Sequence, residues 1–153
     1  MRNEAGVTLI EVFVVVSILA LVSLTVLPFV GTYLQDTKAK GAAEQAAGAL
    51  RQARQNALTA AATYTVVFSG GTITTTCVDD VPVGNRCPTN RPPDRVEQML
   101  SQATMTPSAS PFMLGPLGGA TPAGTVQVIY GGTQWEVAIN QIGGVRLCQP
   151  QCL

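Results

Sequence analysis

The sequence specifies an α+β protein: a long N-terminal helix packed on an antiparallel β-sheet. Three observations predict it. Residues 7–30 are predominantly apolar and carry a single charge. Residues 34–62 carry alanines at spacings of three and four. From Tyr64 onward the hydrophobic period falls from 3.6 to 2, and Gly-Gly pairs separate the alternating runs.

The first element is the apolar run. Val7 to Val30 holds twenty-four residues and one charge, Glu11. As a helix it spans roughly 36 Å, against about 30 Å of bilayer hydrocarbon. The β-branched stretch Val12-Phe-Val-Val-Val16 suits lipid, where every backbone group must bond internally. A secretory signal would need a basic start, a shorter core and a small-residue cleavage site after it. Here Arg2 is offset by Glu4, and Leu27-Pro-Phe-Val30 is a poor cleavage site. Glu11 is the anomaly, because an ionisable group in a membrane helix costs about 2.5–3.5 kcal/mol on insertion scales.

The helix is expected to continue past the membrane. Ala39, Ala43, Ala46, Leu50, Ala53, Ala57 and Ala61 form one face, small enough for a sheet to approach closely. Lys40, Glu44, Arg51, Gln52 and Gln55 form the other. Pro28 removes a backbone donor, so a bent helix of roughly 84 Å over residues 7–62 is expected.

Strands follow. Tyr64-Thr-Val-Val-Phe-Ser69 and Thr72-Ile-Thr-Thr-Thr-Cys-Val78 flank Gly70-Gly71, a hairpin signal. Residues 125–130 and 133–139 flank Gly131-Gly132 in the same way. A last short strand covers 145–148. Segments 79–94 and 106–124 hold eight of the ten prolines and read as loops. Residues 94–105 fit either helix or strand.

Composition bounds the chemistry. Formal net charge is zero and charged residues are 12% of the chain, which gives no general attraction to nucleic acid or anionic lipid. Without histidine there is no His-based metal or acid–base site. No nucleophile stands with a base and no glycine motif cradles phosphate, so neither an enzyme nor a cofactor is expected. Cys77, Cys87, Cys148 and Cys152 all follow the apolar run; their even number favours disulfides outside the cytoplasm. Three pairings are possible, and closeness in sequence favours Cys77 with Cys87 and Cys148 with Cys152. The C-x-x-C spacing typical of zinc sites is absent.

Gly6-Val-Thr-Leu-Ile-Glu11 resembles the G-F-T-L-I-E signature of type IV prepilins and type II secretion pseudopilins. Val7 replaces the usual Phe. The resemblance implies that a prepilin peptidase cuts after Gly6 and methylates the amine of Val7. Residues 1–6 are then a leader, 7–30 a transmembrane and filament-core helix, 31–62 its continuation, and 63–153 a β-rich globular domain. The Val7 amine lies four residues from Glu11, about 6 Å along a helix. In a filament the carboxylate of one subunit can instead meet the amine of the next, which reduces the burial cost of both and fixes register.

Ala49-Leu-Arg-Gln-Ala-Arg-Gln-Asn-Ala-Leu58 with its following strand pair resembles the GspH/FimT subfamily, as does Ile139-Asn-Gln-Ile-Gly-Gly-Val-Arg-Leu-Cys148. That resemblance implies a minor pilin or pseudopilin, pilin-like in fold, which primes or caps its filament. Its implied partners are other subunits, the prepilin peptidase, an inner-membrane assembly platform and membrane lipid. The domain would lie in the periplasm and then on the filament. Some FimT-type members bind DNA for transformation through a G-R-x-R pattern. Here Gly144 replaces its first arginine and only Arg146 matches, with Arg86, Arg91 and Arg95 as possible supplements. A binding module for DNA or a secreted protein is therefore the alternative to a structural subunit.

Overall fold

The computed structural model describes residues 8–78, 87, 94–98, 102–150 and 152. Chain contacts divide it into two units, Met1–Leu34 and Gln35–Leu153. One helix, α1 (Leu9–Ala60), contributes to both.

In the first unit the described side chains of α1 are largely exposed. Leu9, Ile10, Phe13, Leu19, Leu24, Phe29 and Tyr33 are all more than half exposed. Ser17 and Ser23 donate their hydroxyls to the carbonyls four residues earlier, Phe13 and Leu19, so their polarity is satisfied inside the helix. The helix bends across residues 25–28, where Pro28 cannot donate to the residue 24 carbonyl. No single straight helix among the described residues is long and apolar enough to cross a membrane. The pair Leu9–Leu24 and Phe29–Ala60 together meet that test by length and composition.

In the second unit α1 turns a small-residue stripe to the core. Ala39, Ala43, Ala46, Leu50, Ala53 and Ala57 are fully buried, and Ala42, Ala47 and Ala49 widen the stripe. Lys40 and Glu44 pair at 3.9 Å on the exposed face, a contact worth little in water. Ala61 departs from the expected pattern: it is exposed and stands at φ 50°, beyond the helix. The N–H of Ala62 returns to the carbonyl of Ala57 at 3.2 Å, which closes a Schellman-type C-cap. Ala62, not Ala61, enters the core.

The strands are β1 (Thr63–Ser69), β2 (Thr72–Val78), β3 (Asp94–Gln98), β4 (Thr104–Pro107), β5 (Phe112–Leu114), β6 (Ala120–Thr121), β7 (Gly124–Tyr130), β8 (Thr133–Ile139) and β9 (Val145–Cys148). They form two antiparallel sheets rather than one. The first has the order β3-β2-β1-β5-β6 and the second β4-β7-β8-β9. An isolated bridge, Gly70 to Met105, ties the first hairpin to β4. Both glycine-pair hairpins form in the expected register, with Ser69 opposite Thr72 and Tyr130 opposite Thr133. Gly131 and Gly132 both have positive φ, 57° and 86°, as a type I′ turn requires.

The 106–124 segment corrects the loop expectation. It contains β5, β6 and the second half of β4. Its prolines bracket β5 rather than interrupt it: Pro111 precedes Phe112 and Pro116 follows Leu114 by two residues. Pro107 falls in β4, at the edge of its sheet, where a missing donor is affordable. Residues 94–105 are strand at both ends. The 79–94 loop lies outside the described residues apart from Cys87 and Asp94.

One core joins helix and sheets. Tyr64, Val66, Phe68, Ile73, Phe112 and Leu114 come from the first sheet, and Met105, Val126, Val128, Val137 and Ile139 from the second. Phe68 and Phe112 meet edge to face at 5.9 Å, one ring on β1 and the other on β5. Helix alanines let the backbone of α1 approach both layers.

Candidate functional site

The site expected at the N-terminus is described from Thr8. Gly6 and Val7 lie outside the described residues. Thr8 accepts backbone bonds from Glu11 at 3.1 Å and Val12 at 3.3 Å, so it is the N-cap of α1. Glu11 is exposed in the first turn. Thr8 and Glu11 therefore occupy the N-cap and N3 positions of a capping-box sequence, T-x-x-E. Sequence reasoning passed over this spacing because the prepilin signature covers the same residues. A carboxylate in the first turn also faces the positive end of the helix dipole.

The cysteines are joined as Cys77–Cys87 and Cys148–Cys152. The first bond attaches residue 87 to the end of β2. The second closes a five-residue loop after β9.

That loop belongs to a polar cluster which sequence reasoning missed. Asp36, on α1, accepts at one oxygen from Trp135 Nε1 at 3.0 Å and from Gln149 Nε2 at 2.9 Å. Lys38 donates to the Tyr130 hydroxyl at 3.3 Å and lies 5.3 Å from that ring, while Lys40 lies 5.9 Å from the Trp135 ring. Beside them Glu136 is 7% exposed, and its carboxylate accepts from the Cys152 N–H at 2.6 Å. Asp36 and Trp135 are 99 residues apart in sequence, so no local pattern announces the contact.

A second assembly stands at the C-terminal end of α1. Arg54 Nε donates to the Gly118 carbonyl at 3.0 Å, and Ala120 N–H donates to Gln141 O at 3.0 Å. Gly143, at φ 75°, sits so close to the Gly118 carbonyl and Arg54 that a Cβ would collide with both. Asn140 clamps its own turn through Gly143 N–H at 2.9 Å and Gly144 N–H at 2.6 Å. These bonds fix two tight turns whose tips, Leu117 and Ile142, are 95% and 74% exposed; Leu58 is half exposed beside Gly118. Gly143 and Gly144 are thus explained by turn geometry.

Of the arginines considered for nucleic acid, the two on described strands belong to different sheets. Arg146 is exposed on β9, opposite Ala138, in the second sheet. Arg95 is on β3, opposite Thr75, in the first. Arg86 and Arg91 lie outside the described residues. No group of three metal-ligating side chains occurs among the described residues.

A long helix with a bare apolar N-terminal part, and a continuation packed on antiparallel sheets, defines the pilin class of fold. The family model for type II transport protein GspH matches residues 42–143, about two thirds of the sequence, and the chain belongs to that family. Solved structures share its fold. The type IV minor pilin FimU of Pseudomonas aeruginosa is 16% identical, with 72% of this chain and 93% of that chain covered at a TM-score of 0.55. The minor pseudopilin EpsH from the type 2 secretion system of Vibrio cholerae is 14% identical, with 75% and 99% covered at a TM-score of 0.57. No curated protein matches the chain in sequence.

Proposed function

We propose that this minor pilin or pseudopilin is made as a precursor, cut after Gly6, methylated at Val7, held in the inner membrane by residues 7–30, and drawn into a type IV pilus or secretion pseudopilus that it primes or caps. Residues 31–62, helical to Ala60, lead into the periplasmic domain formed by 63–153. The partners are neighbouring subunits, the prepilin peptidase, the assembly platform and membrane lipid. The carrying observation is Glu11: the one charge in a predominantly apolar run of twenty-four residues, five positions after the glycine of a prepilin-like leader. The exposed apolar side chains over 9–24 and 29–34 support a helix whose cover comes from lipid first and other helices later.

Glu11 variants test the assembly role. Glu11→Gln keeps a residue that can complete the capping box but removes the charge; Glu11→Ala removes both. Both are expected to be cleaved and to stay in the membrane, where loss of a charge favours residence. Both are expected to enter filaments poorly, with Ala at least as impaired as Gln. Cleavage is read from the mass of the N-terminal peptide and incorporation from sheared filaments. Normal incorporation of cleaved Glu11→Ala subunits rules the role out. Loss of cleavage alone makes Glu11 a recognition feature of the peptidase.

A further inference from the structure

We infer that the Cys148–Cys152 disulfide is a redox-sensitive latch that holds the Asp36–Lys40 turns of α1 against the second sheet. Two lines of bonding run from it. Cys152 presents its N–H to the Glu136 carboxylate at 2.6 Å, over a side chain almost wholly withdrawn from water. Gln149, the residue after Cys148, reaches α1 at Asp36 and shares one oxygen with Trp135. Glu136 and Trp135 are adjacent on β8, and Cys148 stands opposite Glu136 in the register with β9. The disulfide thus fixes a short loop whose one end covers a carboxylate on β8 and whose other end grips the helix.

The energetics favour release once the bond opens. The ring constrains residues 148–152 in every state of the chain, so their ordering in the folded latch costs less entropy. Without it the loop must be ordered by its hydrogen bonds alone. Hydrogen bonds to a carboxylate are stronger than neutral ones, but each must offset the backbone entropy of the residues it orders. Cys148 stays in β9, so the ordering of the residues after it then rests on these two bonds. The loop then leaves, Glu136 regains water, and Asp36 keeps Trp135 but loses Gln149. Both cysteines are half-buried rather than enclosed, so a reductant has access.

The chemistry needs a dithiol. One thiolate attacks a cysteine sulfur and forms a mixed disulfide. The second thiol of the reductant displaces that cysteine and closes its own disulfide. Two electrons pass to the protein, Cys148 and Cys152 each take one proton, and the reductant leaves as a cyclic disulfide.

Trp135 reports the latch because it is the only tryptophan in the chain. The experiment uses the full chain in detergent, with Cys77→Ser/Cys87→Ser so that one disulfide remains. Dithiothreitol is added, and alkylation followed by mass measurement verifies two new thiols. Tryptophan emission is expected to move to longer wavelength. Amide exchange over residues 36–43 is expected to accelerate on the order of tenfold, with exchange around Leu50 and Ala57 unchanged. Cys148→Ser/Cys152→Ser is expected to show the released spectrum with or without dithiothreitol. That variant, compared with the oxidised wild type, decides the matter if the other fails to fold. Unchanged emission and unchanged exchange over 36–43, with both thiols alkylated, overturn the latch. General acceleration through Leu50 and Ala57 also overturns it, because the bond is then an ordinary staple of the whole domain. Neither outcome depends on filament incorporation, so the latch and the filament reading fail separately.

Discussion

Ala61 occupies a backbone conformation that favours glycine. At φ 50° its Cβ crowds the following carbonyl, which costs roughly 1–2 kcal/mol. Ala61→Gly relieves that cost and returns about 0.4–1 kcal/mol through the greater freedom of the unfolded chain. The net expectation is a gain of a few tenths to about 1 kcal/mol, read as a higher denaturation midpoint at unchanged slope. The alanine periodicity hid this feature: Ala57 and Ala61 are four apart, as helical neighbours are, yet Ala62 turns into the core. A run of Ala60-Ala-Ala62 contains no residue that marks the end, so the boundary was not legible. Glu11 shows the opposite case. Its functional reading came directly from sequence, whereas its N3 position emerged with the described cap at Thr8.

At the scale of elements, the small-residue stripe of α1 sets how closely the sheets approach. Ala46 and Ala53 have no exposed surface, so Ala46→Leu must displace its neighbours. It is expected to cost about 1–3 kcal/mol, while Arg51→Leu on the exposed face is expected to stay within about 0.5 kcal/mol. Paired denaturation curves separate the two. The long strands were legible because Gly70-Gly71 and Gly131-Gly132 interrupt clear alternation. The short ones were not. Phe112-Met-Leu114 is too brief to show a period, and its proline flanks resemble those of a loop. What makes it a strand is β1, whose Tyr64 to Val66 edge supplies its partners some fifty residues earlier in the chain. The clasp of Asp36 with Trp135 is equally non-local, and neither residue stands in a motif.

For the whole molecule, charge distribution bears on the choice between partners. Between Gln98 and the C-terminus only Glu136 and Arg146 are charged, and Glu136 is buried. A surface of that kind neutralises few phosphates, and affinity for DNA grows with their number. The expected result is no retained duplex at physiological salt in an electrophoretic assay with the full chain. Binding that weakens steeply with salt and disappears in Arg146→Ala would support the DNA-uptake alternative. Processing is a second measurement at this scale. With the peptidase present, membrane-extracted protein is expected to begin at Val7 with one added methyl group, and a stable mature form retaining Met1 to Gly6 contradicts that expectation.

The order of strands has a consequence for subunits waiting at high local density. Among the described residues, the four seven-residue strands, β1, β2, β7 and β8, are interior, while the outer strands have five residues or fewer. β4 carries Pro107 and is already bridged to Gly70. Short and interrupted rims are poor templates for a foreign strand. Crowded copies of this domain therefore have little opportunity to zip together through their backbones, and ordered association is left to the helix.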